Sequence, residues 1–223
     1  MTSGDRMTAI ETEVRPAAAT PFSRAQRFAG ALSLCVLVLA TLAMAAQAPT
    51  PSTAPPRWEL KFKVVHELRL IQMDRQYYWF MTCLVTNRTE QDQTFVPSAT
   101  LYTDAGDIIA ESQDVTYEVS QQLRAMIGNP LLETSTEVIG QIQIGKENAR
   151  EVLFIWKAHS LDIDDVSVFI SGLSSETQVA VNPATAEEVI VRKTLQRHYL
   201  APGEPTANIQ TPVVFDSERW IMR

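Results

Sequence analysis

The chain has 223 residues, a formal net charge of -7 at pH 7 and a sequence pI near 5.0. Hydrophobic residues make up 45% of it and charged residues 20%, a composition typical of a globular protein with a real core. Phosphate binding requires clustered lysine and arginine, and the basic residues here are scattered singly, so nucleic acid is not expected as a partner.

The N-terminal residues carry a targeting pattern. Residues 1–27 are polar and rich in Ala, Thr and Pro without periodicity, which predicts a disordered cytoplasmic n-region. Arg24 and Arg27 precede the segment 28–48, which is uncharged and strongly apolar. This order is typical of a signal peptide or a transmembrane anchor, and it predicts that the rest of the chain lies outside the cytoplasm.

Cleavage and anchoring are both compatible with this segment. The small residues Ala43 and Ala45 occupy the two positions that a signal peptidase recognises. The apolar run Phe28–Ala46 is about as long as the ~18–20 residues that span a bilayer. The sequence therefore predicts either export to the periplasm or cell surface after cleavage near Ala45, or a single-pass membrane protein with its N-terminus inside and its body outside.

A proline-rich linker over 49–56 precedes the folded body, for which we expect one β-sandwich domain over 57–223. The stretch RWELKFKV alternates apolar and polar residues from Trp58 onward, and a second alternating run leads to the turn MDRQ. Alternation with period two predicts half-buried strands. We also expect the terminal strands to lie close together and to bury the rings of Trp58 and Trp220.

The next strand, Tyr77–Thr86, opens with four aromatic residues and is apolar on both faces, which predicts a central strand covered on both sides. Successive side chains point to opposite faces, so Trp79 is expected to face the core while Tyr78 and Phe80 face away from it. The Tyr78 and Phe80 face is expected to be covered by a helix or by a partner. It is the candidate partner face.

The elements that follow are mostly short strands. QTFVPSATLYT predicts a strand with an edge position or bulge at Pro97, and TDAGD predicts a hairpin turn with Gly106 at positive φ. An apolar stripe over Val115–Ile127 predicts one helix, ended by Gly128 and Pro130. Further strands are predicted in TEVIGQIQI, REVLFIWKA, VSVFISGL, ETQVAV, EEVIVRKTLQRHYL and SERWIMR.

The stretch CLVTNRTEQDQTFVPSATLYTDAGDIIAE, followed by EVIGQIQIGKENAREVLFIWKA and VSVFISGL, resembles exported bacterial immunoglobulin-like modules of uncharacterised families. The resemblance covers 57–223 and implies a mainly β, antiparallel sandwich with one inserted α-helix. It implies no catalytic residues and no assigned activity. The cysteine pair and intervening tryptophan of antibody domains are missing.

Two motifs in the central strand have structural and chemical interpretations. Cys83 is the sole cysteine of the predicted body, because Cys35 lies in the export segment, so no disulfide is possible there. A single cysteine on an apolar strand is typical of a buried core residue. Asn87-Arg88-Thr89 matches a glycosylation acceptor, although at a strand end Asn and Thr also suit the local backbone.

The acidic stretch HSLDIDD offers oxygen ligands for Ca²⁺ at Asp162, Asp164 and Asp165, but Val166 and Ser167 break a hand-type loop pattern. A solvated turn is the competing interpretation. No Gly-x-Ser-x-Gly elbow accompanies these residues. The three histidines lack metal-ligand spacing: His66, His159 and His198.

These observations predict no enzyme activity, no cofactor and no resident metal. The expected function is that of an exported β-sandwich module with a structural or protein-binding role in the cell envelope. The alternative is a membrane-tethered accessory subunit that docks a partner through its helix-bearing face. A hydrolase is a distant third, because no constellation of acid, base and nucleophile emerges from the sequence.

Overall fold

The computed structural model describes residues 48–182, 184–201 and 211–223. The predicted n-region 1–27 lies outside these residues, as does the signal or anchor segment 28–48 apart from Ala48. Ala48–Arg223 forms one compact unit. Across the described ranges no helix has the length and apolar character needed to cross a membrane.

In these described residues the body is mainly β, with twelve strands and one helix. The elements are β1 (Lys61–Met73), β2 (Gln76–Thr86), β3 (Gln93–Phe95), β4 (Ser98–Thr103), β5 (Ile108–Ala110), α1 (Tyr117–Ile127), β6 (Glu133–Thr134), β7 (Gly140–Ile142), β8 (Arg150–Lys157), β9 (Asp165–Ser171), β10 (Thr177–Val181), β11 (Glu188–Leu200) and β12 (Val214–Met222).

The strands form two main sheets and a short pair. The four-stranded sheet has the order β1-β2-β8-β6, and the six-stranded sheet has the order β10-β11-β9-β4-β5 with β12 also paired to β11. The short pair joins β3 to β7. The strand pairs are antiparallel except for β6 with β8, which is parallel. The predictions of a mainly β chain, antiparallel sheets and one helix are confirmed.

The first hairpin follows the alternating pattern of its sequence. The two predicted runs form one long strand, β1, with register shifts on either side of His66. Met73 pairs with Gln76, so Asp74 and Arg75 form the turn, with φ of 48° and 64°. Positive φ at both central residues matches the right-handed twist of the strands. The predicted MDRQ turn is confirmed.

Both main sheets contribute to one hydrophobic core. Trp79 on β2 lies directly opposite Trp156 on β8, and both side chains are fully buried. Leu101, Val168 and Tyr199 supply the core from the six-stranded sheet. Burial of each large apolar side chain contributes about 2–3 kcal/mol, so this shared core is the main stabilising feature of the body.

One predicted strand is two strands in the structure. QTFVPSATLYT divides at Val96 and Pro97 into β3 and β4, which belong to different sheets. Proline cannot donate to a strand ladder. The backbone at Gly172 lies close to the backbone at Val96, and a Cβ on Gly172 would lie only 2.3 Å from the Val96 carbonyl oxygen. Glycine has no Cβ and therefore permits this approach. The prediction of one strand with an edge or bulge at Pro97 was wrong in that respect.

The two ends of the body meet through Lys193. Its Nζ lies 2.7 Å from Glu59 Oε2 and 4.9 Å from the centroid of the Trp220 ring. The Ser175 N–H donates to the Trp58 carbonyl at 3.1 Å, and the Trp58 N–H donates to Ser175 Oγ at 3.2 Å. Both tryptophan rings pack against the main core but stay half-buried. The ends therefore lie close together, as predicted, and both rings are partly buried against the core.

Candidate functional site

The predicted partner face lies under the helix. Tyr78 and Phe80 are 4% and 1% exposed. They form a second cluster with Val119 and Leu123 of α1 and with Leu153 of β8. Because the chain's own helix occupies this face, the suggestion that Tyr78 and Phe80 meet a partner was wrong, and helix coverage is the correct alternative.

The helix reaches this position through its apolar stripe and its C-terminal stop. Val119 and Leu123 are four residues apart, which places them on one helical face. Gly128 ends the helix with φ of 74°, and its N–H donates to the Arg124 carbonyl. A left-handed residue at this position is easiest for glycine. The predicted helix and its stop are confirmed.

Two of the three candidate calcium ligands have separate interactions. Asp165 Oδ1 lies 3.1 Å from His198 Nε2. The backbone N–H of Asp164 donates to Asp104 Oδ2 at 3.1 Å. No cluster of three or more His, Cys, Asp or Glu side chains suited to a metal is present within 48–182, 184–201 and 211–223. The group Asp162, Asp164 and Asp165 therefore does not form a metal site there, and the solvated-turn interpretation fits these contacts better.

His198 also contacts a carboxylate on the neighbouring strand. Its Nδ1 lies 3.0 Å from Asp216 Oδ2. The hydrogen bond from His198 holds the pKa of Asp216 below its usual range. His66 lies on β1 in the other main sheet, where its Nδ1 is 2.8 Å from Thr82 Oγ1.

Cys83 is a buried core residue. Its side chain is fully buried, it forms no disulfide, and desolvation raises the pKa of its thiol. The thiolate, not the thiol, is the nucleophilic form of cysteine. The environment of Cys83 thus opposes reactivity, and its predicted core position is confirmed.

Asn87 organises the turn after β2. Its Nδ2 donates to the carbonyls of Gln91 and Ile142 at 2.8 and 2.9 Å, and its Oδ1 accepts from the N–H and the hydroxyl of Thr89. The side chain is fully buried. A glycan on Nδ2 is incompatible with these contacts, so in the folded chain the Asn-Arg-Thr triplet is a structural turn.

The sequence analysis missed a hydrogen-bonded network of polar side chains on the outer face of the four-stranded sheet. His66 Nδ1 lies 2.8 Å from Thr82 Oγ1, and that hydroxyl donates to Glu151 Oε1 at 2.8 Å. Asn129 Nδ2 donates to the other Glu151 oxygen at 2.6 Å. Because the single hydroxyl hydrogen of Thr82 goes to Glu151, Thr82 accepts from His66, which places a proton on Nδ1.

The only sequence signal for this network was Thr82, a polar residue at an outward position of an otherwise apolar strand. Thr82 is fully buried, so its hydroxyl cannot reach a substrate, and it serves to position its neighbours. The arrangement connects β1, β2, β8 and the loop after α1. It fixes Glu151 beside an open cleft.

The cleft has a volume of about 750 Å³ and lies between the loop after α1 and strand β8. Apolar side chains line part of it, with Leu131 79% exposed. Its size falls within the range of about 300–1,000 Å³ typical of ligand pockets. The cleft is lined by residues that include Leu84, Arg124, Leu131, Leu132, Glu133, Glu137, Arg150 and Glu151.

Two ion pairs also line the cleft. Arg150 Nε donates to Glu133 Oε2 at 2.7 Å, and Arg150 Nη2 contacts Glu133 Oε1. Arg150 Nη1 donates to the Val138 carbonyl. Arg124 forms an ion pair with Glu137. Arg124 Nε is buried and has no hydrogen-bond partner among the described residues. The cleft therefore offers an exposed apolar side chain, Leu131, beside charged side chains.

This arrangement is suited to binding. An apolar centre with a polar rim is the usual anatomy of a protein interface. Comparison of the chain with family models, with curated proteins and with solved structures gave no match.

Proposed function

We propose that this chain is an exported immunoglobulin-like β-sandwich module, without enzymatic activity, that binds a protein partner in the cell envelope. The export pattern of 28–48 and the motif resemblance of 57–223 support this location and fold. The core shared by the two main sheets supports a sandwich arrangement.

The observation that carries the proposal is the cleft beside α1. Leu131 and Leu132 project from the loop after the helix, and Leu131 is 79% exposed while Leu132 is buried. Leu132 fixes the loop to the helix-bearing face and leaves Leu131 available to a partner. An exposed apolar side chain rimmed by the Arg150–Glu133 and Arg124–Glu137 pairs favours a protein segment that carries an apolar anchor.

A second candidate is a membrane-tethered accessory subunit that docks its partner through the same helix-bearing face. The length of the apolar run Phe28–Ala46 favours it. The linker supports it as well, because Ser52 N–H donates to Glu176 Oε1 at 2.5 Å and Gln178 Nε2 donates to the Thr50 carbonyl at 2.9 Å. A linker held against the body would limit the freedom of a tethered domain.

Site-specific photo-crosslinking in the envelope tests the binding surface. A photoreactive residue at Leu131 is expected to yield one discrete adduct with another protein. The matched control is Ile108 on the edge strand β5, which is 63% exposed and does not line the cleft. Leu131→Asp is expected to lose the partner on co-purification, and Ile108→Asp is expected to retain it. Equal labelling at both positions, or no adduct at Leu131, would contradict the proposal.

A further inference from the structure

Two arginines lie directly opposite each other across β11 and the end of β12. The Arg192 N–H donates to the Arg223 carbonyl at 2.7 Å, and the Arg223 N–H donates to the Arg192 carbonyl at 3.0 Å. Residues that exchange both backbone hydrogen bonds in an antiparallel pair share one face, with Cα atoms about 5.5 Å apart. Both side chains are exposed. Like charges placed directly opposite are destabilising, so this pair favours an anion beside it.

The two arginines belong to the outer face of the six-stranded sheet. Alternation along β11 places Arg192 on the face opposite to the core residue Leu195. On the neighbouring strands Thr100 pairs with Phe169, and both alternate with core residues of β4 and β9. The arginine pair, Thr100 and Phe169 therefore share the face that points away from the core.

A groove of about 180 Å³ opens on this outer face. Its lining consists of both arginines, Phe169 and four residues with hydroxyl groups, Ser98, Thr100, Ser171 and Thr194. No acidic side chain of the described residues belongs to this lining. The acidic residue on the same face of β11 is Glu188, four residues from Arg192 and so about 13 Å along the strand. Even with the main-chain carboxyl of Arg223 counted, the two guanidinium groups leave an excess of positive charge at the groove.

The two guanidinium groups are held differently. Arg223 Nη2 contacts the Tyr102 hydroxyl, and its Cζ lies 4.5 Å from the ring centroids of both Tyr102 and Phe169. These cation–π contacts fix the position of the Arg223 guanidinium. The Arg192 side chain forms no hydrogen bond or ion pair with any described residue, and neither do the hydroxyls of Ser98 and Thr100. The groove thus combines one positioned guanidinium with donors that have no partner among the described residues.

We propose that this groove binds a tetrahedral oxyanion, a phosphate or sulfate group, either free or at the end of a larger molecule. The planar guanidinium group recognises phosphate through paired N–H donors. Two such groups and two hydroxyls match the three or more acceptor oxygens of a phosphate or sulfate better than the two oxygens of a carboxylate.

The size and place of the groove limit what it takes. Its volume lies below the range of about 300–1,000 Å³ typical of ligand pockets, so it suits one charged group and not a whole drug-sized molecule. The groove belongs to the six-stranded sheet, whereas the cleft of Leu131 lies at β8 of the four-stranded sheet. The inference therefore goes beyond the protein-binding proposal and does not rest on it.

Isothermal titration calorimetry of the full chain tests the site. The titrants are inorganic phosphate, glycerol phosphate and acetate, with sodium chloride holding the ionic strength constant. Both phosphate compounds are expected to bind saturably at one site, with acetate about tenfold weaker or more. Arg192→Gln is expected to weaken phosphate binding about tenfold or more, because charge-assisted hydrogen bonds are lost. Arg219→Gln is the matched control, since Arg219 is exposed on β12, contacts Gln196 and does not line the groove.

Thermal unfolding supplies a second measurement. Without added anion, Arg192→Gln is expected to keep or raise the midpoint, because it removes the like-charge pair. Phosphate is expected to raise the midpoint of the wild type and of Arg219→Gln but not that of Arg192→Gln. Tighter binding of glycerol phosphate than of inorganic phosphate would assign the site to a phosphate ester of a larger molecule, and the reverse order would assign it to the free anion.

Three outcomes overturn the inference. Non-saturating heats that are equal in the wild type and Arg192→Gln would show a counterion effect only. Acetate binding as tight as that of phosphate would exclude a site for a tetrahedral oxyanion. A lower midpoint of Arg192→Gln without anion would show that Arg192 already has a partner in the folded chain. None of these results alters the crosslink expected at Leu131, so this inference and the protein-binding proposal fail separately.

Discussion

At the scale of single residues, buried polar groups determine how the turns and faces are organised. Asn87 satisfies two carbonyls and two groups of Thr89 with one side chain. Glu111 accepts from the hydroxyls of Ser112 and Ser135 in a largely buried position beside α1. The net contribution of a buried hydrogen bond is modest, but leaving its partner unsatisfied is costly.

Asn87→Ala is expected to reduce the free energy of unfolding by about 2–4 kcal/mol, because it leaves buried carbonyls without donors. Urea unfolding followed by tryptophan fluorescence measures the change as a lower midpoint at an unchanged slope. Asn148→Ala is the control, since half-buried Asn148 donates only one hydrogen bond, to the Ile144 carbonyl. If Asn87→Ala lowers the free energy of unfolding no more than Asn148→Ala does, the structural role assigned to Asn87-Arg88-Thr89 is contradicted.

Glu111 provides a prediction on pH dependence. Burial raises the pKa of its carboxyl, against the hydrogen bonds from Ser112 and Ser135. Between the ordinary and the raised pKa the folded state binds more protons than the unfolded state, so stability falls as pH rises through this range. Glu111→Gln removes the titration. The stability of this variant relative to the wild type is expected to increase from acid to neutral pH in unfolding experiments, and a constant difference would contradict the assignment.

At the scale of elements, α1 closes the outer face of the four-stranded sheet. Its stripe packs on Tyr78 and Phe80, and Gly128 ends it where the cleft loop begins. The helix has one acidic residue in its first turn, Glu118, and a basic residue in its last turn, Arg124, which complements the helix dipole. Packing of the stripe is nonetheless the larger contribution, because short helices are marginal on their own.

Leu123→Ala tests this packing. Leu123 is fully buried between the helix and the sheet, so the substitution is expected to cost about 2–5 kcal/mol. Met126→Ala on the exposed side of the same helix is the control, with an expected change below about 1 kcal/mol. Thermal or urea unfolding of the two variants separates packing from helix propensity. Similar losses of unfolding free energy in both variants would show that packing of the apolar stripe is not what stabilises α1.

At the scale of the whole molecule, Arg197 connects the two main sheets. Its guanidinium donates to both oxygens of Glu67 on β1 at 3.2 Å, contacts Glu218 on β12, and lies 4.3 Å from the Phe215 ring centroid. Tyr199 Oη donates to the same Glu67 carboxylate at 3.0 Å. The cluster therefore joins the edge of one sheet to strands of the other.

Arg197→Met is expected to reduce stability by about 1–3 kcal/mol, less than the loss of one partner from a fully buried pair, because solvent screens the two half-exposed carboxylates. Arg219→Met is the control, since exposed Arg219 contacts Gln196 within the same sheet. Hydrogen exchange is expected to increase at β1 and β12 in Arg197→Met and to stay unchanged there in Arg219→Met. Unchanged exchange in both variants would exclude Arg197 as an inter-sheet connection.

The sequence by itself determined the local elements. Period-two alternation located β1, and a run of β-forming residues that is apolar on both faces located β2. Position along β2 then assigned Trp79 and Tyr78 to opposite faces, because successive side chains of a strand point to opposite sides. The stripe over Val115–Ile127 with Gly128 located the helix, since 3.6-residue periodicity and a left-handed stop are both local properties.

Only the tertiary structure decided what covers each face and which distant residues meet. Thr82 joins His66, 16 residues away, to Glu151, 69 residues away, and this depends on the order and register of β1, β2 and β8. The helix rather than a partner covers Tyr78 for the same reason. Contacts between distant segments follow from strand order, which alternation along one strand does not encode, and so the cleft could be found only in the folded chain.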